Sequence, residues 1–231
     1  MRIPMGIAAA ALVGITATSA SAAADNDAKR LTEAATVLKE IHAVPDKDVP
    51  QELWEKARCV AVIPSVKKAA FIVGGEYGKG VVSCRSGSGW SAPSFLELQK
   101  GSVGFQIGGE SVDLVLLFMN DQGINRLLDN KIALGTEASI AGGPVGRDAR
   151  AMTDGQLKAE ILSYSRAQGL FAGIDLTGGA LKADTDENRK FYGRAVDARD
   201  ILKDQKIKPP AAADAFLIIF GSALVSCFSA S

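Results

Sequence analysis

Ile72-Val73-Gly74-Gly75-Glu76 and Gln106-Ile107-Gly108-Gly109-Glu110 are one local frame written twice, 34 residues apart. Gly142-Gly143 repeats the interval, and Gly178-Gly179 follows 36 residues later. Each pair follows or sits in a short β-branched or apolar run. Glycine inside a strand pattern marks a bulge, a tight bend, or a close approach of backbones or a ligand. Residues 59–180 therefore read as one curved, glycine-kinked β structure, not as a helical scaffold. Solenoid repeats keep most apolar positions in register. Here only the pairs and one or two neighbours align, so the interval reads as successive hairpins of similar length.

Working outward, strand patterns fall at residues 59–63, broken by Pro64-Ser65, then at 69–75 and 80–85, joined around Tyr77-Gly78-Lys79. Residues 102–108 and 111–119 read as a further hairpin, with strands at 136–141, 161–166 and 170–176. Leu31, Ala34, Ala35, Leu38 and Ile41 recur at helical spacing and predict an amphipathic helix over 27–43. Shorter helices are expected at 51–58, from Asn120-Asp121 to 129, from Asp184 or Thr185 to 192, and at 197–203. Residues 215–225 are unbroken apolar sequence, too short to span a bilayer. They read either as a docked C-terminal helix or as one lying on a membrane. The expected class is α+β: a strongly curved, mostly antiparallel β-sheet or barrel-like β core with flanking N- and C-terminal helices.

Residues 1–22 read as a signal peptide and stand apart from the fold. Arg2 opens them, residues 7–17 are apolar, and Ala20-Ser21-Ala22 is a small-residue cleavage pattern. The expected location is exported, periplasmic or secreted, with membrane association. A single domain over 23–210 and an apolar tail over 211–231 remain, enough chain for one sizeable core. The 26 basic and 26 acidic residues balance, which argues against non-specific nucleic-acid binding, since that needs clustered positive charge. Cys59 and Cys84 flank two expected strands and their turn. They read either as two buried free thiols or, as export favours, as a bridge closing a loop of about 25 residues and contributing about 3–4 kcal/mol. Cys227 is then the odd thiol.

The sequence holds little of the usual chemistry. His42 is the single histidine and lies on the N-terminal helix, away from the strand block, so a Ser-His-Asp or Cys-His arrangement has no base to build on. No His/Cys cluster has the spacing of zinc ligands, and neither metal nor cofactor is expected. Gly78-Lys79 imitates a phosphate loop, but the spacing is wrong and Gly80 stands where Ser or Thr should follow the lysine. Asp113 and Asp175 sit within apolar strands. Such carboxylates are sometimes catalytic but more often accept backbone hydrogen bonds or pair with arginine, and Arg147, Arg150 and Arg166 are available. Lys67, Lys68, Lys79, Arg85, Arg147 and Arg150 lie mostly at expected strand ends or loops. Gathered in space they form a candidate site for anionic lipid head groups; taken singly they are solvated charges.

The strand block also carries a resemblance. Residues 63–75, Ile-Pro-Ser-Val-Lys-Lys-Ala-Ala-Phe-Ile-Val-Gly-Gly, followed by Tyr77-Gly78-Lys79-Gly80, resemble the opening of the SYLF domain. Trp90-Ser91-Ala92-Pro93 and residues 101–108 resemble its middle, as do Asp113-Leu114-Val115-Leu116-Leu117 and Gly143-Pro144-Val145-Gly146-Arg147. Ser163-Tyr164-Ser165-Arg166, residues 169–173 and Leu176 resemble its C-terminal signature. The likeness covers about residues 30–205. It implies a lipid-binding module: eukaryotic members bind phosphoinositides, and some bind or bundle actin beside other domains. Secreted bacterial members stand alone, and a chain with a leader and no appended module resembles that type. Membrane lipids are the implied partner, and actin enters only by family analogy. The helix at 27–43 occupies the place of an N-terminal segment that aids membrane contact, with Lys29, Arg30 and Lys39 diluted by Glu33 and Glu40. The expected function is a non-enzymatic lipid-binding protein of the cell envelope. The alternatives are a periplasmic scaffold and an actin-binding activity. An enzyme working through Asp113, Asp175 or Tyr164 has no recognisable constellation.

Overall fold

The structure, a computed structural model, describes residues 18–42, 49–70, 73–87, 89–103, 110–129, 131–146, 152–167, 170–204 and 206–225. Two helices, α1 (Thr18–Ile41) and α2 (Gln51–Lys56), lead into a long antiparallel pair, β1 (Cys59–Ala70) and β2 (Val73–Ser86). The short β3 (Gly89–Trp90), then β4 (Ser94–Val103) and β5 (Glu110–Phe118), precede helix α3 (Asp121–Asp129). Next come β6 (Lys131–Ala133), β7 (Ile140–Gly142), helix α4 (Asp154–Lys158), β8 (Ile161–Ala167), β9 (Leu170–Gly173) and β10 (Gly179–Ala183). Helices α5 (Thr185–Tyr192), α6 (Ala198–Leu202) and α7 (Asp214–Val225) close the chain.

The strands form a strongly curled sheet in the order β6-β10-β4-β2-β1-β5-β8-β7, with β3 added to β2 and β9 to β8. The pairings are antiparallel except β7 with β8. This is the curved, mostly antiparallel core with flanking helices that the sequence predicts. β1 lies at the centre and is covered on both faces, which is why residues 59–63 read as unbroken apolar sequence rather than alternating. Cys59, Ala61 and Ile63 face one core with Leu114, Leu116 and Phe118, closed by Ile124 and Leu127 of α3 and Ile201 and Leu202 of α6. Val60 and Val62 face a second core with Val115 and Leu117, closed by Leu31, Leu38 and Ile41 of α1, Leu53 and Trp54 of α2, and Phe216 and Phe220 of α7. The apolar stripe of α1 is thus buried as its periodicity requires.

Three of the expected breaks and connections differ from the sequence reading, and the strand expected at 136–141 is confined to Ile140–Gly142. First, Pro64-Ser65 does not end β1 but forms a bulge within it: the register shifts between Ile63 and Val66. Ser65 takes a positive φ of 53° and donates its N–H to Asp113 Oδ1 at 2.9 Å. Second, Tyr77-Gly78-Lys79 is not a turn but the middle of β2, opposite that bulge; the β1–β2 connection falls at 71–72, outside the described residues. Third, β4 and β5 are not a hairpin. β4 pairs with β2 and β10, β5 with β1 and β8, so β1 and β2 lie between them.

A capping box marks the start of α4, which the sequence reading passed over. The Thr153 side chain accepts from Gln156 N–H while the Gln156 side chain accepts from Thr153 N–H. The apolar run at 215–225 is a docked helix. Phe220 lies 4.3 Å from the Trp90 ring and 6.3 Å from the Trp54 ring, centroid to centroid. Of the leader, residues 1–17 lie outside the described residues.

Candidate functional site

Of the six cations singled out by sequence, the three whose side chains are described, Lys67, Lys79 and Arg85, do not form one patch. Lys79 Nζ donates to Asp184 Oδ2 and Glu187 Oε2, each at 2.7 Å, and so ties α5 to β2. Burial opposes the lysine's charge, but these two bonds outweigh it and hold its pKa above the usual lysine value. Burial likewise pushes Asp184 and Glu187 up, and Lys79 outweighs it, leaving both below the usual carboxylate range. Arg85 closes the end of α2 instead of facing solvent. Its Nε donates to Ala57 O at 2.9 Å and its Nη2 to Trp54 O at 3.0 Å, with the guanidinium 4.8 Å over the Trp90 ring. Burial lowers its pKa from the ordinary arginine value. Lys67 stands exposed on β1. Lys68 lies next to it on the strand backbone, its side chain outside the description. Arg147 and Arg150 fall outside the described residues, as does Gly108-Gly109.

Asp113 and Asp175 are each held by near partners, and Asp175 lies not in a strand, as the sequence predicts, but in the connection between β9 and β10. Asp113 holds the Ser65 bulge and lies 3.5 Å from Arg166, which also pairs with Glu40 of α1. Asp175 accepts from Thr177 N–H at 2.8 Å, a local turn that lowers its pKa. Tyr164 is buried in the second core, and a Cβ at Gly143 would fall 2.0 Å from its ring. His42 meets Trp54 edge-on at 4.5 Å. Cys59 and Cys84 are directly opposed on β1 and β2 and form a disulfide. Among the described residues no three His, Cys, Asp or Glu side chains gather as a metal site, and no helix is long and apolar enough to cross a membrane.

What the registers do assemble is a polar end to the sheet. On the face that carries Val81 and Phe95 into the second core, β2 and β4 run on beyond the helices. There Lys67, Tyr77, Gln99, Ala180 and Ala133 form one cross-strand row, and Lys79, Glu97, Lys182 and Lys131 form the next. Gly75 lies opposite Gly101 one row further out. Tyr77 is 43% exposed, large for an aromatic ring on a sheet. It donates to Glu97 Oε2 at 3.3 Å, Gln99 donates to Glu97 Oε1 at 3.2 Å, and Lys182 lies 3.7 Å from the same carboxylate. A groove of about 380 Å³ lies over Glu97, Gln99, Lys131, Ala180 and Lys182. A second of about 270 Å³ lies between α1 and the bulge, over Arg30, Lys67 and Tyr77. The surface thus offers three exposed lysines, Lys67, Lys131 and Lys182, around one shared carboxylate and one exposed phenol. Lys131 and Lys182 went unsingled by sequence because β6 and β10 were not read as strands. The alternation of Gly179-Ala180-Leu181-Lys182-Ala183 is the signal that could have found the second.

Beneath this face α1 and α5 meet through charge. Asp27 is fully buried, and its Oδ1 accepts from Arg30 Nη1 at 3.2 Å. Its Oδ2 has no donor, and the carboxyl faces Glu187. Burial, then the Glu187 charge and a carboxyl–carboxyl hydrogen bond, push Asp27 up to about 6, against the smaller pull of Arg30 and Lys190.

Comparison with known proteins places this fold. A family model described as "Ysc84: Las17-binding protein actin regulator" matches residues 99–223. SH3 domain-containing YSC84-like protein 1 of Rattus norvegicus is 35% identical over 81% of this chain and 57% of its own length. The Homo sapiens protein of that name is 34% identical over 81% of this chain and 56% of its own length. LAS seventeen-binding protein 3 of Saccharomyces cerevisiae is 34% identical over 73% of this chain and 37% of its own length. The chain thus spans little more than half the length of the animal relatives it matches, and less of the yeast one.

Proposed function

The chain belongs to the Ysc84, or SYLF, family, and from that premise we propose that it is a non-enzymatic lipid-binding protein of the cell envelope that meets anionic head groups. The observation that carries the reading is the uncovered sheet end. Lys67, Lys131 and Lys182 are exposed there around Tyr77, whereas Lys79 and Arg85 are bound inside the fold. A lysine near an anionic surface contributes about 1 kcal/mol. With Glu97 opposing them, the three together give on the order of 2 kcal/mol, a roughly thirtyfold preference for anionic over neutral vesicles. The leader pattern at 1–22 supports an exported location, and Ile218, 65% exposed on α7, offers an apolar contact for acyl chains.

Vesicle flotation with neutral and anionic lipid tests this. The wild-type chain floats with anionic vesicles and releases as salt rises. Lys67→Glu, Lys131→Glu and Lys182→Glu together abolish that preference. Equal recovery with neutral and anionic vesicles overturns the reading. A second reading, actin binding, is supported by the family description; co-sedimentation with filamentous actin, unaffected by lipid, would favour it.

A further inference from the structure

Glu97 does not suit a site for negative charge alone. It stands on β4 among the exposed lysines of the bare sheet end, and its carboxylate repels any anion that they attract. Yet the fold holds it there. Tyr77 donates to its Oε2 at 3.3 Å, Gln99 donates to its Oε1 at 3.2 Å, and Lys182 lies 3.7 Å away. Each carboxylate oxygen has two lone pairs, so Glu97 keeps acceptor capacity for hydroxyl groups. The groove of about 380 Å³ beside it falls in the ordinary range of small-molecule sites, about 300–1,000 Å³. Its floor is the small side chain of Ala180, directly opposite Gln99 on β4 and Ala133 on β6. Glu97, Lys182 and Lys131 fill the next row, on β4, β10 and β6. Strands lie about 4.8 Å apart, so Glu97 and Lys131 end a row about 10 Å long. Gln99 gives one amide N–H to Glu97, and among the described residues its amide oxygen and second N–H are uncommitted. Lys131 is exposed and pairs with no carboxylate among the described residues. The groove is thus apolar beneath, hydrogen-bonding on its β4 side and cationic on its β6 side.

We propose that this groove binds an acidic pyranose, a sugar ring of the uronic-acid class. The C–H face of the ring lies over Ala180. Vicinal hydroxyls donate to Glu97 and exchange hydrogen bonds with the Gln99 amide, and the acidic group meets Lys131 and Lys182. The proposal rests on the reading of the sheet end as a head-group site and names the chemistry of that head group. A bare phosphate would gain from the lysines and lose to Glu97, whereas a charged sugar uses both. The same ring is carried by a glycolipid head group and by a free saccharide.

The test titrates the isotope-labelled chain in solution with glucuronate, glucose and acetate and follows amide chemical shifts. Glucuronate is expected to move the amides of 97–99, 131 and 180–182. It should bind about tenfold more tightly than glucose, which has the ring without the charge, or acetate, which has the charge without the ring. Acetate that matches glucuronate overturns the proposal, and so does glucuronate that leaves these amides in place. Glu97→Gln gives the opposed signs. Removing its charge removes a repulsion, so attraction by the lysines alone predicts equal or stronger flotation with phosphatidylglycerol vesicles and equal or tighter glucuronate binding. The sugar site predicts that glucuronate binding falls about tenfold in that variant while the urea midpoint shows it folded. Undiminished glucuronate binding in Glu97→Gln overturns the sugar site and leaves the vesicle preference of the wild-type chain standing. Vesicles carrying a glucuronosyl diacylglycerol, matched in charge to phosphatidylglycerol, identify the source. Preferred flotation with the glycolipid assigns the sugar to a lipid head group. Glucuronate binding by a chain that ignores both kinds of vesicle supports the groove as a site for a free saccharide and overturns the membrane reading instead.

Discussion

Gly78 and Gly80 are where the middle of β2 tolerates least. A Cβ at Gly78 would fall 2.7 Å from Ile63 Cγ2 and Val66 Cγ2, and one at Gly80 would fall 2.3 Å from Val62 O and 2.9 Å from Ile63 Cα. The β1 bulge presses its backbone against β2 there, and only the absence of a side chain lets the two strands stay in register. Gly75, by contrast, has its nearest neighbour at 3.6 Å. Gly80→Ala is therefore expected to cost about 3 kcal/mol, and Gly75→Ala less than about 0.5 kcal/mol, measured by urea unfolding. The glycine pairs that drew attention in the sequence thus differ among themselves: Gly75 is loose, whereas a Cβ at Gly143 would fall 2.0 Å from the Tyr164 ring. Gly78-Lys79-Gly80, which imitates a phosphate loop, is tight for packing reasons that spacing alone does not reveal. Lys79 itself was legible as a cation but not as an internal one, since its partners Asp184 and Glu187 lie more than 100 residues downstream. Lys79→Met leaves two carboxylates short of a donor and is expected to lower stability by about 2 kcal/mol at neutral pH, read as a shift in the urea midpoint. Because Asp184 and Glu187 have lowered pKa values, that contribution is present above the usual carboxylate range and lost as pH falls through the folded values.

Between elements, the α1–α5 contact runs the other way with pH. Asp27 is raised to about 6, so the folded state favours its protonated form. The folded chain then takes up a proton that the unfolded chain, with an ordinary carboxyl, does not hold near pH 5. Stability at this site is fully present only at acid pH, below the unfolded value, and is lost as pH rises through about 6. The groups facing the carboxyl are Glu187 and Lys190 of α5 and Arg30 of α1 itself; the two cations soften the penalty without removing it. Asp27→Asn keeps the shape and supplies a donor toward Glu187. It is expected to raise the melting temperature at pH 8 by a few degrees and to change it little at pH 5; equal shifts at both would refute the shared-proton reading. The helix itself was readable, because Leu31, Ala34, Leu38 and Ile41 keep its period. The buried acid within its polar face was not, since nothing local distinguishes Asp27 from Asp25. Strand neighbours were equally hidden: β4 and β5 look like a hairpin in sequence, and only the sheet order shows β1 and β2 between them.

At the scale of the molecule, a curled sheet is closed by helices over two cores and left bare at one polar end. Fold class and the doubly buried β1 were legible, because a central strand must be apolar on both faces. The bare end was not, because it is assembled from β1, β2, β4, β6 and β10, and a cross-strand row exists only once the register is known. The same assembly decides how the C-terminal run must be tested. Removing residues 211–231 would strip Phe216 and Phe220 from beneath Trp54 and Trp90. Loss of membrane contact in that truncation would then report loss of the core. Two single substitutions on α7 separate the roles. Phe220 is 1% exposed and Ile218 is 65% exposed. Phe220→Ala is expected to cost about 3–4 kcal/mol in urea unfolding, as a large core side chain does. Ile218→Ser is expected to leave stability within about 0.5 kcal/mol. Withdrawing an isoleucine from acyl chains forfeits roughly 2 kcal/mol, so the same Ile218→Ser chain should partition about thirtyfold more weakly onto vesicles. If its partition equals wild type while the lysine reversals at 67, 131 and 182 abolish binding, the polar sheet end alone meets the membrane and α7 serves only to close the second core.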